Sequence, residues 1–183
     1  MSTLPTIRQR RIEWREQPHE ALDLTFSNGA ERTFYRMAQQ GPGAVMVVAM
    51  PDPDTVLLTR EYAAGLHRYV LGLPRGRIDE GEEVLDAAQR ELKEEVGYGA
   101  GRLTLLRPLA LAPSYMSHQI ELVLAEALYP ERLEGDEPEP IEVLPVALAD
   151  LPKLALDPDF AEGRALGALL VVMGHLAQRE DAA

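Results

Sequence analysis

The stretch Gly76–Tyr98, GRIDEGEEVLDAAQRELKEEVGY, decides how this chain is read. It begins as a glycine-bearing loop and becomes a helix crowded with carboxylates. Glu91, Glu94 and Glu95 stand at i, i+3 and i+4, so a helix presents them as one cluster. Carboxylates this close repel one another, most strongly where water is excluded. A hard divalent cation relieves that repulsion and is also a reason to build such a cluster. On a wheel of ~100° per residue, Val84, Glu94 and Glu95 fall near Glu91, while Leu85, Ala88, Leu92 and Val96 form the adjacent apolar stripe. The carboxylates therefore rim a buried face, where a cleft-lining site belongs.

Outward from this stretch, the chain reads as strands with a second helix. Towards the N-terminus, Ala44–Met50 is an unbroken apolar run, the signature of a strand covered on both faces. Pro51–Asp54 is a turn, Thr55–Arg60 a returning strand, and Tyr69–Leu73 a short strand leading into Pro74-Arg75-Gly76. Further upstream, Leu22–Phe26 and Arg32–Met37 flank Ser27-Asn28-Gly29, a hairpin signal. Ile12 and Trp14 alternate with charged neighbours, which predicts a short half-buried strand. Residues 1–41 thus form an N-terminal antiparallel β element and a candidate dimerisation arm, leaving 42–183 as the main domain. Towards the C-terminus, Leu103–Leu111 and Ile120–Leu128 are strands, 131–140 is an acidic loop with two prolines, and Ile141–Ala147 is a last strand. Asp157-Pro158 predicts a helix N-terminus, with Leu166, Leu169, Leu170, Met173 and Leu176 on the buried side to about Ala177 and a frayed tail from Arg179. Strands around two helices predict a mixed sheet sandwiched between helices, an α/β fold.

Composition narrows the function classes. A chain of 183 residues is long enough for one real core. Its 18 basic and 30 acidic side chains give a net charge of −12, which disfavours nucleic acid and anionic membrane as partners. An anionic substrate must then meet local positive charge from metal ions or placed arginines. With no cysteine there is neither a disulfide nor a thiolate metal site. The N-terminus lacks the apolar segment of a secretory signal, and Ala165–Met173 is too short to span a bilayer, so a cytoplasmic protein is expected.

The full spacing is more specific than the acidic triplet. Gly76, five residues, Glu82, seven residues, Arg90-Glu91-Leu92, one residue, Glu94-Glu95, one residue, Gly97-Tyr98 agrees with the Nudix box at every defined position. Chance gives such agreement roughly once in a billion windows of average composition. Tyr98 is large and apolar, though aliphatic residues are commoner there. The chain thus resembles the Nudix hydrolases, which cleave nucleoside diphosphates linked to another moiety. That resemblance implies an α/β/α sandwich in which the box forms loop, helix and loop and binds Mg²⁺ or Mn²⁺. Carried over by position, Glu91, Glu94 and Glu95 are metal ligands, joined by the main-chain carbonyl of Arg75. Arg90 and Glu82 orient helix and loop through charge-assisted hydrogen bonds, and Gly76 and Gly97 are structural.

The resemblance extends along nearly the whole chain. SNG near the start, REY at 60–62, APSY at 112–115 and LYPERLEGDEPEP at 128–140 are similar to ADP compounds hydrolases of the NudE type, within the ADP-ribose pyrophosphatase group. That branch acts on ADP-ribose, diadenosine polyphosphates and NADH, usually as homodimers whose N-terminal strands help build the partner's site. By the same carry-over Arg60 pairs with phosphate, Pro113 and Tyr115 mark the substrate, and the general base is Glu139 with Glu137 its companion. Ala63 replaces the last arginine of the R-[EQ]-[YF]-R pattern, and Gly72 stands where many ADP-ribose members have glutamate. The expected activity is cleavage of ADP-X to AMP and a phosphorylated product. The alternatives are an ADP-sugar or other sugar-nucleotide pyrophosphatase, and a non-catalytic nucleotide-binding sensor.

Overall fold

The computed structural model describes residues 4–9 and 19–181. The strand expected around Ile12 and Trp14 lies outside the described residues. Two strands, His19–Thr25 (β1) and Glu31–Met37 (β2), pair antiparallel as a separate sheet with Thr25 opposite Glu31. Gly29 at φ +80° lets the chain reverse, and the Asn28 carboxamide accepts from the Ala30 N–H at 3.1 Å. Asn-Gly chemistry therefore sets this hairpin, through a longer loop than the two-residue turn.

The main sheet grows around Ala44–Asp52 (β3). It takes in Thr55–Ala63 (β4), Arg68–Gly72 (β5), Arg75–Arg77 (β6), Tyr98–Ala110 (β7), Gln119–Pro130 (β8) and Glu142–Ala147 (β9). The strand order is β5-β4-β3-β8-β7, with β6 paired to β3 and β9 to β4. Only β3 and β8 run parallel, from Ala44 opposite Ile120 to Ala49 opposite Ala125, so the sheet is mixed as expected. The short β6 falls where the sequence predicts loop; antiparallel pairing with Ala44–Met46 captures it.

Side-chain alternation along β3 divides the interior in two. Met46, Val48 and Met50 face a cluster that includes Leu58, Leu122, Phe160, Ala168, Leu169 and Val172. Val45, Val47 and Ala49 face the opposite cluster, with Leu57, Ala87, Ala88, Leu92 and Val96. The first cluster seats the C-terminal helix Gly163–Asp181, and the second seats the helix Val84–Glu91 (α1). These layers make the α/β/α sandwich. Leu92 is fully buried at the second interface; truncating such a residue to alanine costs ~2–5 kcal/mol.

Four helical expectations are corrected. Asp157-Pro158 does not begin the long helix, because the Asp157 carboxylate accepts from the Asp159 N–H at 2.8 Å and its carbonyl from Phe160 at 3.0 Å. This local turn competes with helix initiation. A short helix, Leu151–Leu154 (α2), precedes it, and the long helix (α3) starts only at Gly163. Nor does the chain fray from Arg179. Helix α3 continues to Asp181, and Arg179 pairs with Glu126 at 3.0 Å. Ala165, Ala168, Leu169 and Val172 form its buried stripe, whereas Leu170 and Met173 are exposed. On α1 the packed stripe likewise includes Ala87 and leaves Leu85 outside. No described helix is long and apolar enough to cross a membrane.

Candidate active site

The loop entering α1 is closed by its own acid. The Glu82 carboxylate accepts from the Asp79 N–H at 3.0 Å, and the Glu82 N–H donates to the Asp79 carbonyl at 3.1 Å. Arg90, two turns into α1, grips the same carboxylate with Nε at 3.0 Å and Nη2 at 2.9 Å. Nη2 also donates to the Arg77 carbonyl at 2.8 Å, fastening β6 to the helix. Nη1 reaches Glu91 at 2.7 Å and Glu94 at 3.1 Å. One guanidinium thus holds a loop, a strand and two helical carboxylates. The Arg90 hydrogen bond holds the Glu82 carboxyl below its ordinary range. Glu82 and Glu91 in turn push Arg90 still higher.

After Glu91 the helix widens. Leu92–Val96 is a π turn closed by Gly97 N–H donating to the Leu92 carbonyl at 3.1 Å, not the uninterrupted α-helix implied by a 100° wheel. Gly97 ends it at φ +80°, with the Arg132 guanidinium packed where a Cβ would stand. Gly76 is required for a different reason: a Cβ there would overlap the Glu91 carboxylate. The strand and the helix meet through that missing side chain.

Glu95, only 7% exposed, is turned inward by the π turn. Its carboxylate meets those of Glu61 on β4 and Glu137 on the acidic loop, with one oxygen of each within 4.8 Å of the others. Burial, then repulsion from Glu61 and Glu91, pushes the Glu95 carboxyl up to about 9, against a 3.1 Å hydrogen bond from the Arg75 N–H. Burial also raises Glu91, with Arg90 opposing. Glu137 is raised by desolvation and by Glu61 and Asp136. Three carboxylates that cannot all ionise comfortably, with oxygen as the donor throughout, fit a hard divalent cation.

The Arg75 side chain borders this group. It forms ion pairs with Glu61 and, at 3.3 Å, with Glu162 just before α3, and donates to the Leu73 carbonyl at 3.2 Å. Its Nη1 lies 3.0 Å from where a Cβ on Gly72 would sit. Glycine at 72 thus leaves the space this guanidinium fills.

Residues 132–141 line the cleft from the far side, bounding about 1140 Å³ together with Gly76, Arg90, Glu91, Glu94 and Glu95. Glu139 accepts a hydrogen bond of 2.5 Å from the Tyr69 hydroxyl, while Glu137 faces Glu61 and Glu95. Three sequence-predicted substrate residues stand apart. Arg60 points away from the cleft, towards Glu142 at 3.4 Å and Asp159 at 3.8 Å, as alternation along β4 dictates once Glu61 faces inward. Pro113 and the exposed Tyr115 lie on the loop joining β7 to β8, which is stitched to the end of the hairpin by Met37 N–H to Tyr115 carbonyl at 2.8 Å. Sequence reasoning passed over Glu61, Tyr69 and Arg132. Glu61 lies inside the REY segment beside Arg60, and its place on a strand was the available signal.

A family model described as the NUDIX domain matches residues 41–165. The chain is 51% identical over 153 residues to the ADP compounds hydrolase NudE of Escherichia coli (strain K12), spanning 84% of this chain and 82% of that protein. It is 34% identical over 134 residues to the ADP-ribose pyrophosphatase of Bacillus subtilis (strain 168), spanning 72% and 71%. A crystal structure of an ADP compounds hydrolase aligns with a TM-score of 0.80 at 46% identity, over 93% of this chain and 92% of that one.

Proposed function

Because the chain belongs to the Nudix hydrolase family, we propose that it hydrolyses ADP linked to a second moiety, giving AMP and a phosphorylated product. ADP-ribose, diadenosine polyphosphates and NADH are the substrate class, in keeping with the relatives named for ADP compounds and ADP-ribose. The observation that carries this reading is the inward cluster of Glu61, Glu95 and Glu137 beside the Arg90-locked Glu91 and Glu94.

Nudix hydrolases generally work with a divalent cation. An all-oxygen donor set favours Mg²⁺ or Mn²⁺ over softer metals. Glu91, Glu94, Glu95 and the Arg75 carbonyl are the ligands by family position, and geometry supports adding Glu61 and Glu137. These residues would hold the cation, which would supply neutralisation of pyrophosphate charge and activation of water. The protein positions that chemistry: Arg90 fixes the helix against the loop and Gly76 lets Glu91 approach the strand. Water adds to phosphorus, the bridging P–O bond breaks, and the water's proton passes to the acidic loop, where Glu139 and Glu137 are the candidates.

Recognition by Arg60, Pro113 and Tyr115 belongs to the same reading, and in this arrangement it calls for a homodimer. The β1–β2 hairpin exposes Leu24, Phe26, Phe34 and Tyr35 and is stitched to the Tyr115 loop. An arm of this kind suits a second copy of the chain. Sedimentation at micromolar concentration tests it; a monomer would confine recognition to the one chain.

The activity is tested by incubation with ADP-ribose, NADH, diadenosine triphosphate and ADP-sugars, with Mg²⁺, Mn²⁺ or a chelator. Metal-dependent AMP release is expected, and its absence from every substrate would overturn the reading.

A further inference from the structure

The acidic loop is a strap tied at two ends by unlike means. At its start, Glu131 N–H donates to the Gly97 carbonyl and Leu133 N–H to the Lys93 carbonyl, both at 3.2 Å. Lys93 pairs with Glu131 at 3.0 Å, and Arg132 reaches the carbonyls of Glu94 and Val96 at 3.4 Å. At the far end, among the described residues, the Tyr69–Glu139 hydrogen bond of 2.5 Å is the one hydrogen bond made by residues 134–140. Pro138 and Pro140 flank Glu139, so fixing its carboxylate fixes the backbone on both sides. Two residues back, Glu137 is the strap's contribution to the group with Glu61 and Glu95.

Tyr69 is itself held. Its ring meets that of Tyr62 edge-on at 6.0 Å, and the Tyr62 hydroxyl is 2.7 Å from His67 Nδ1. His67 occupies the turn between β4 and β5 at φ +49°, a conformation uncommon for a non-glycine residue. The anchor is thus built on the sheet, and the strap hangs from it.

We infer that Tyr69 is a positioning residue, latching the strap through Glu139 so that Glu137 stays against Glu61 and Glu95. This rests on the proposed hydrolase reading and divides the labour between the two loop glutamates. Glu139 is the anchor, and Glu137 is the carboxylate that meets the reacting centre.

The test pairs kinetics with limited proteolysis of the full chain. Tyr69→Phe should raise the rate of cutting within the segment 131–141 by about tenfold, as expected for losing a hydrogen bond to a charged acceptor. It should lower kcat between about tenfold and a hundredfold with KM within about twofold, the size of effect that an ångström of misplacement produces. Glu139→Gln still accepts from the hydroxyl and should lose less than Tyr69→Phe, while Glu137→Gln should lose most. An unchanged cutting rate in Tyr69→Phe would overturn the latch. So would Glu139→Gln falling as far as Glu137→Gln, which would give Glu139 the chemistry itself. If Tyr69→Phe fails to fold, Glu139→Ala releases the same end without touching β5, and its cutting rate decides. Should the wild-type protein cleave no ADP compound, the proposed function fails while proteolysis still judges the latch.

Discussion

The cleft has two walls, and they are held by different means. The helix wall places Glu91, Glu94 and Glu95 above the fully buried Ala87, Ala88 and Leu92, with a single guanidinium closing the loop before it. The strap wall supplies Glu137 and Glu139 from a largely exposed segment hung between its first residues and one tyrosine. Packing fixes the first wall, and a few polar contacts fix the second. A rigid wall can hold charge in place at little cost on reaction, whereas a strap can admit a substrate and then reset.

The largest expected effect lies on the helix wall. Glu95→Gln should lower kcat about a thousandfold with the fold retained, since a metal-centred charge stabilisation of several kcal/mol is removed. Circular dichroism alongside kinetics checks this, and substantial remaining activity would take Glu95 out of the metal site. Arg90→Ala comes next. It frees Glu82, Glu91 and Glu94 together, so about a tenfold to hundredfold loss of activity is expected. Urea titration should show ~3 kcal/mol of lost stability, the mark of stranded, partly buried charges. Gly76→Ala should cost ~1–3 kcal/mol by driving Glu91 off the strand. A silent Gly76→Ala would mean that the helix wall yields more readily than its packing implies.

A subtler distinction is electrostatic. The Glu95 carboxyl titrates near 4.5 when unfolded and is raised to about 9 in the fold. Between those values the native protein keeps a proton that the unfolded chain has released, so metal-free stability should fall as pH rises from about 4.5 to 9. Melting temperatures with chelator should therefore be higher at pH 5.5 than at pH 8.5, and Glu95→Gln should flatten the difference. Adding Mg²⁺ at the higher pH should restore stability, because the cation binds the ionised form. The smallest effect is expected from Arg132→Ala, whose hydrogen bonds are both long at 3.4 Å; ~1 kcal/mol or less, read by urea titration, would confirm that the strap's start is held mainly by its backbone bonds.

The two walls also differed in legibility. Spacing at i, i+3 and i+4 is local, so the carboxylate helix could be read directly, as could the Asn-Gly hairpin and the doubly covered strand at Ala44–Met50. The strap's length and acidity were equally plain. Its partners were not, because Tyr69 and Glu61 reach the strap only once β4 and β5 are set side by side in the sheet. Glu61 sits within REY, but the phosphate-pairing pattern is carried by its neighbour Arg60, and a strand sends the two to opposite faces. The motif marks only the carbonyl of Arg75, since its ion pair to Glu162 joins positions far apart in sequence. Asp157-Pro158 carried a genuine helix-start signal that a local carboxylate turn overruled. The π turn left no mark in the periodicity at all, for five residues are too few to shift it visibly.

The alternation of β3 has an engineering corollary. Met46, Val48 and Met50 touch only the C-terminal helix's side of the interior, and Val45, Val47 and Ala49 only the carboxylate helix's side. One strand therefore carries two separate control panels. Libraries at the even positions should tune heat tolerance while leaving turnover alone, and libraries at the odd positions should move both.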